Sequence, residues 1–154
     1  MDIQYKQLIC LNGHQITDRA SQDEIVNEYC QKCEAKVIDS CPTCKAMIEG
    51  YYYVSGVFDT YKCPVPKYCK NCGNPYPWTK TALESLDEIV ELSQLSEEDK
   101  DQLKSSTPDL ISDNPKSKVA ALKWKTIGKS LLGMAHDILV DVASESIVKL
   151  IYGG

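Results

Sequence analysis

The hydrophobic pattern of the chain changes period near Trp78. Before it, apolar residues come in short β-branched or aromatic runs between polar turns, the pattern of short strands. Residues 3–12 predict a strand that runs into a turn at Asn12-Gly13, a pair suited to left-handed backbone. Ile16-Thr17 resumes an extended segment, and residues 18–28 are polar and acidic, a loop or short helix. Val37-Ile38, Tyr51-Tyr52-Tyr53-Val54 and Gly56-Val57-Phe58 predict further short strands. Residues 62–67, with Pro64 and Pro66, predict an extended loop.

After Trp78 the apolar residues recur at helical spacing, beginning with Leu83, Leu86, Ile89 and Val90. Thr81 with Glu84, and Ser96 with Asp99, have the spacing of helix N-terminal caps. Thr107-Pro108 and Asn114-Pro115 give the cap-then-proline signal of two more helix starts. A long amphipathic helix is predicted over residues 115–152, with Gly128 and Gly133 as candidate breaks. Its apolar stripe is Ala120, Trp124, Ile127, Leu131, Met134, Ile138 and Val142. Its polar stripe is Asp137, Asp141, Glu145 and Lys149, and the last two have the favourable i,i+4 order. The predicted fold class is α+β: a small, β-rich N-terminal module over residues 1–78, then an α-helical region over 79–154.

The chemistry lies in the first module. Four ligand pairs occur in it: Cys10 with His14, Cys30 with Cys33, Cys41 with Cys44, and Cys69 with Cys72. A Cys-x2-Cys turn puts two sulfurs on one side of the backbone, half a tetrahedron, and a second pair closes it. Structural zinc takes four such thiolate or imidazole ligands, so two Zn²⁺ are expected, held in a double zinc-ribbon or zinc-knuckle module. The sequential pairing joins the first two pairs on one metal and the last two on the other. Each partner pair is then separated by a stretch able to form a hairpin. The cross-braced pairing would join pairs one and three, and two and four, as in a RING domain, and Cys41-Pro42-Thr43-Cys44 has the look of a RING knuckle. Seven residues separate Cys33 from Cys41, more than a RING places there, which favours the sequential scheme. Cys63 is the odd thiol, either a small buried hydrophobe or a substitute ligand. His136 stands alone on its helix and is read as a surface or core residue.

Composition adds limits. Among 154 residues, 43% are hydrophobic, enough for a core, and the net charge of −5 argues against general binding to nucleic-acid backbones. The start of the chain has neither a basic region nor an apolar run, no stretch of 18 apolar residues occurs, and clustered cysteines read as reduced metal ligands, so a cytoplasmic location is expected. Charge is segregated: residues 1–80 hold nine basic and nine acidic side chains, residues 81–113 two Lys and ten acids, and residues 114–154 six Lys and three acids. The acidic and basic blocks are expected to pair within the chain.

Several runs resemble a bacterial family known as domain of unknown function 2321. They are Cys10-x-Asn12-Gly13-His14, Tyr68-Cys69-Lys70-Asn71-Cys72-Gly73 with Pro77-Trp78, Val119-Ala120-Ala121-Leu122, and Asp141-Val142-Ala143-Ser144-Glu145. The resemblance covers nearly the whole chain. It implies zinc-ribbon-like knuckles followed by helices, and no activity. Cys63 stands outside the pattern that the resemblance implies.

No phosphate loop, nucleophile elbow or zinc-protease motif occurs, and the ligands divide into two closed fours, so the chain is expected not to be an enzyme. The functional expectation is a zinc-binding interaction or adaptor protein that binds a protein partner or self-assembles through its C-terminal helices. A nucleic-acid-binding zinc ribbon is the alternative, with Tyr68, Lys70, Tyr76 and Trp78 as binding residues, because aromatics flanked by lysine can stack bases. Membrane-surface contact through Trp124 and its neighbouring lysines is a further option. So is RING-like ubiquitin-type ligase chemistry, or conjugation through the terminal Gly153-Gly154.

Overall fold

A computed structural model describes residues 1–153, and the terminal Gly-Gly signal therefore lies partly outside the described residues. The chain forms two compact units, residues 1–80 and the remainder from Thr81. The fold class is α+β, with antiparallel strands and cysteine clusters first and helices afterwards.

In the first unit β1 (Ile3–Cys10) is the central strand. It pairs antiparallel with β2 (Gln15–Ala20), β3 (Val37–Ile38) and β4 (Glu49–Tyr53). Successive side chains on a strand point to opposite faces, and β1 uses both. Leu8 and Cys10 enter a cluster with Ala20, Cys30 and Val37, whereas Ile9 enters another with Cys41, Ile48, Cys69, Tyr76 and Trp78. Two polar side chains of β1 are buried and fully engaged. Lys6 Nζ donates to the carbonyls of Gln22 (3.2 Å) and Glu24 (2.5 Å) and to Asp39 Oδ2 (2.8 Å). Gln7 Nε2 donates to the carbonyls of Glu49 and Pro64, and its Oε1 accepts from Gln15 Nε2 at 2.7 Å. The strand expected at residues 56–58 does not form; β4 ends at Tyr53, and Phe58 is fully exposed.

Three turns of this unit share one backbone design. In each Cys-x2-Cys knuckle, the N–H of the first cysteine donates to a carbonyl five residues on: Cys30 to Ala35, Cys41 to Ala46, Cys69 to Asn74. The N–H of the residue after the second cysteine donates back to the first: Glu34, Lys45 and Gly73. That residue is left-handed every time, with φ of 64°, 68° and 79°. The fourth turn, Cys10–His14, closes with Gly13 N–H to the Cys10 carbonyl and Cys10 N–H to that of His14. Gly13 has φ 91°, and a Cβ there would stand 3.0 Å from the Trp78 Cβ, so both backbone and space require glycine.

The helices start later or earlier than the sequence signals suggest. α1 spans Pro77–Glu91, so proline supplies the first turn and Thr81 is interior, not a cap. α2 spans Glu97–Ile111 and does start at the Ser96 cap, whose side chain accepts from the Asp99 N–H. Pro108 lies inside α2 rather than starting a helix. The buried face continues across it through Leu103, Thr107, Leu110 and Ile111, and Thr107 Oγ1 bonds the Leu103 carbonyl at 3.0 Å. Burial on both sides of the proline outweighs its missing N–H. After Asn114-Pro115, α3 (Ser117–Thr126) begins only at Ser117.

The long helix expected over 115–152 is three helices: α3, then α4 (Leu132–Val142) and α5 (Glu145–Tyr152). The first break falls at Gly128, where a Cβ would meet the Trp124 carbonyl at 2.9 Å, and a 3-10 turn follows at Lys129–Leu131. The second falls at Ala143, and Ser144 caps α5 by accepting from Ile147 N–H. The breaks change the helical phase. Ala120, Trp124 and Leu131 are buried as the stripe requires, but α4 then buries Ala135 and Leu139 and leaves Met134 65% exposed. Lys149 does pair with Glu145, at 3.2 Å. The charge blocks, however, do not pair. Among the described residues each ion pair of this unit lies within one block: Lys100–Glu97, Lys104–Glu91, His136–Asp137 and Lys149–Glu145.

Two stability outcomes follow. Trp124 is fully buried in the core of the second unit, so Trp124→Ala should cost about 3–5 kcal/mol in urea unfolding followed by helical circular dichroism; a loss below 1 kcal/mol would contradict this packing. Lys45→Gly should stabilise the first unit by up to about 1 kcal/mol by relieving left-handed strain, and Gly73→Val should destabilise it by at least as much. Thermal melts of the two variants shifting in the same direction would contradict the shared turn.

Candidate metal centres

Each knuckle aims two donor atoms inward, and the strands around β1 bring the knuckles together in twos. Cys10, His14, Cys30 and Cys33 form one group, and Cys41, Cys44, Cys69 and Cys72 another, with donor atoms all within 4.8 Å of one another in each. All eight residues singled out in the sequence are therefore placed, in the sequential pairing. The cross-braced pairing does not occur, and the RING resemblance loses its defining feature.

The spacing fits a four-coordinate ion. With metal–sulfur bonds of about 2.3 Å, neighbouring sulfurs of a tetrahedron stand about 3.8 Å apart. Cys10 and Cys33 sulfurs are 3.6 Å apart, Cys41 and Cys72 3.7 Å, and Cys44 and Cys69 3.6 Å. A disulfide needs about 2.05 Å, and all eight cysteines are free. His14 presents Nδ1 to Cys10 Sγ at 3.4 Å and to Cys30 Sγ at 3.6 Å, which makes Nδ1 the inward nitrogen. These residues can hold two metal ions, one with three sulfurs and a nitrogen, one with four sulfurs.

The turn backbone also prepares the thiolates. In each Cys-x2-Cys loop, N–H groups point at sulfur, and a donor facing a thiolate stabilises the charged form. The Ala35 N–H holds Cys33 down to about 6, and the Cys72 N–H does the same for Cys69. The Asn71 side-chain amide, 3.4 Å from Cys44 Sγ, lowers Cys44. Asn74 donates to Cys72 Sγ through its backbone N–H and through Nδ2 at 3.5 Å, yet burial and the neighbouring Cys44 and Cys69 leave the Cys72 thiol raised. Burial works the other way at Cys10 and pushes its thiol up. Asn71 and Asn74 are the functional residues that the ligand pattern alone misses. Their signal is an Asn within or just after a Cys-x2-Cys loop, where its amide can reach a sulfur.

The remaining candidates separate. Cys63 belongs to neither group; it is half-buried, its thiol is pushed up by burial, its N–H donates to Asp18 Oδ2 (2.8 Å), and its carbonyl accepts from Gln15. Tyr76 and Trp78, proposed as stacking residues, are buried, and their rings stack on each other at 4.8 Å beside the second group. Trp78 Nε1 donates to the Pro66 carbonyl. Those two rings are therefore core, with no face left for a base. Lys70 pairs with Glu49, and Tyr68 is half-buried in a bridge with Pro75. His136 is exposed and sits edge-on to Tyr152. Trp124 is fully buried, so it cannot anchor the chain in a membrane surface.

Comparison with known proteins leaves the fold and chemistry to stand on the chain itself. No curated protein and no solved structure matches it. The profile of one family matches residues 3–151, almost the full length. The chain belongs to the family described as an uncharacterized protein conserved in bacteria, DUF2321.

Proposed function

We propose that this chain is a non-catalytic, cytoplasmic zinc protein whose two structural sites hold an interaction module for a protein partner. The observation that carries the reading is that each centre is complete in protein donors: four soft or borderline ligands at tetrahedral spacing, none missing. A catalytic zinc keeps a position open for water. Sulfur-rich tetrahedral sets select zinc or iron over magnesium and calcium, which prefer oxygen. The mixed three-sulfur, one-nitrogen set favours zinc for the first site.

The location rests on the reduced cysteines, and among the described residues no helix is long and apolar enough to cross a membrane. The role of the metals is to fold the first unit. Its two apolar clusters each contain two or more of the ligand cysteines, so neither closes without its metal group. Structural zinc contributes on the order of 10 kcal/mol per site. The second unit has a larger core that contains no ligand.

Elemental analysis of reduced protein should give two zinc ions per chain. Cys30→Ser and Cys72→Ser should each lose one, Cys63→Ser none, and the double variant Cys10→Ala with Cys30→Ser only one. Iron in place of zinc, or two ions lost in that double variant, would overturn the assignment. A strong chelator should unfold the first unit while helical circular dichroism largely persists; full retention of the strands' amide protection without metal would contradict a structural role. Affinity capture with the zinc-loaded chain, compared with Cys72→Ser, tests the partner: a protein retained by the first and lost by the second is expected, and hydrolytic turnover by the loaded protein would argue for an enzyme.

A further inference from the structure

The exposed face of α3 is charged and apolar at once. Lys118, Leu122 and Lys125 lie on one side of the helix at i, i+4 and i+7, and Val119 borders them. Val119 is 54% exposed and Leu122 49%. Neither lysine has an ion-pair partner among the described residues, and no acid occurs between Asp113 and Asp137. Lysines usually spread among acids on a solvated face; a run of them with bare aliphatic side chains between is a face that awaits an acidic, partly apolar surface.

The same unit carries such a surface. On α1, Glu84, Glu88 and Glu91 lie on one exposed side at i, i+4 and i+7, bordered by Leu92, which is 77% exposed. Glu91 is engaged by Lys104, but Glu84 and Glu88 are in no ion pair among the described residues. Glu84 and Glu88, four apart on α1, stand about 6 Å apart along the helix, and Lys118 and Lys125, seven apart on α3, about 10.5 Å, a difference that the long, flexible lysine side chains can span. Among the described residues of one chain, the two blocks make no ion pair with each other.

We propose that the α3 face docks on the α1 face of a second copy of this chain. The contact is head-to-tail, with different surfaces on the two copies, so one chain can bind a neighbour on each side. Glu84 and Glu88 meet Lys118 and Lys125, and Leu92 covers Leu122 and Val119. A single helix-on-helix contact is at the small end of specific interfaces, so the association is weak and salt-sensitive. This goes beyond the interaction-module reading, because the contact lies on the helices of the second unit, and it leaves the zinc assignment untouched.

Sedimentation velocity of the full zinc-loaded chain tests it, over a concentration series at about 0.1 M salt, where the Debye length is about 10 Å, and at about 1 M, where it is about 3 Å. The wild type should exceed the mass of one chain at the lower salt and return to it at the higher. Lys118→Glu with Lys125→Glu should be monomeric, and so should Glu84→Lys with Glu88→Lys. Mixed, the two variants should associate again, because the intact lysine face of one meets the intact glutamate face of the other and the two reversed faces are complementary as well. Zinc content and circular dichroism equal to wild type show that the variants are folded; the single variants Lys125→Gln and Glu88→Gln, which should each weaken association several-fold, keep the test open if a double variant is not. A wild type monomeric throughout the series would overturn the proposal. So would association that survives both reversals, or a mixture that stays monomeric. A monomeric wild type that binds vesicles of anionic lipid or single-stranded RNA through Lys118 and Lys125 would overturn it and give the face to that partner instead. Failure of the proposed zinc chemistry would show separately, in the metal count.

Discussion

An eight-residue strand has two faces, and here each face packs with a different group of candidate metal donors. That alternation is the constraint on which the first unit depends. Cys10 ends β1 and supplies a ligand to the first group, with Leu8 beside it in the same cluster. Ile9, between them, packs against Cys41 and Cys69 of the second. A shift of pairing by one residue would send Cys10 toward the wrong group and Ile9 toward the wrong cluster. Buried Lys6 and Gln7 hold the register by long-range bonds to loops and to the start of β4. The two centres are thus coupled through one strand while sharing no ligand.

The ligands were legible because a tetrahedral centre demands particular atoms at short spacing, and few residue types meet the demand. Their pairing was legible for a related reason: hairpin-forming stretches separate only the sequential partners. The sequence marks the amide donors only faintly, as an Asn in or just after a Cys-x2-Cys loop, because an amide reaching a sulfur leaves no periodic mark. Asn71 and Asn74 look like ordinary turn residues until their distances to Cys44 and Cys72 are known. Tyr76 and Trp78 were ambiguous for a different reason. Aromatics between prolines suit a binding platform or a small core equally well, and only their mutual stacking decides.

The helical unit was legible in type and poorly in boundaries. Ser96 was found because a cap acts locally, through one side chain and one N–H. Thr81 and Thr107 failed because tertiary burial extends helices through weak local stops; Pro108 is carried by Leu103 and Leu110 on either side. The long C-terminal helix failed at Gly128, where the missing Cβ lets the chain turn against Trp124. Leu131 still lies on the predicted stripe, but beyond it the fully buried positions shift by one, which is why Met134 lies outside and Ala135 inside. The expected pairing of acidic and basic blocks failed too, and leaves two faces of opposite charge toward solvent.

The central claim is that both centres are closed by protein donors alone. X-ray absorption at the zinc edge of the reduced, loaded chain tests it most directly. The account predicts a first shell of sulfur at about 2.3 Å with a minor nitrogen contribution, in the ratio of seven sulfurs to one nitrogen over the two groups. A light-atom share well above one in eight would mean an open or water-filled position. That result would contradict the account and reopen catalysis at one of the metals.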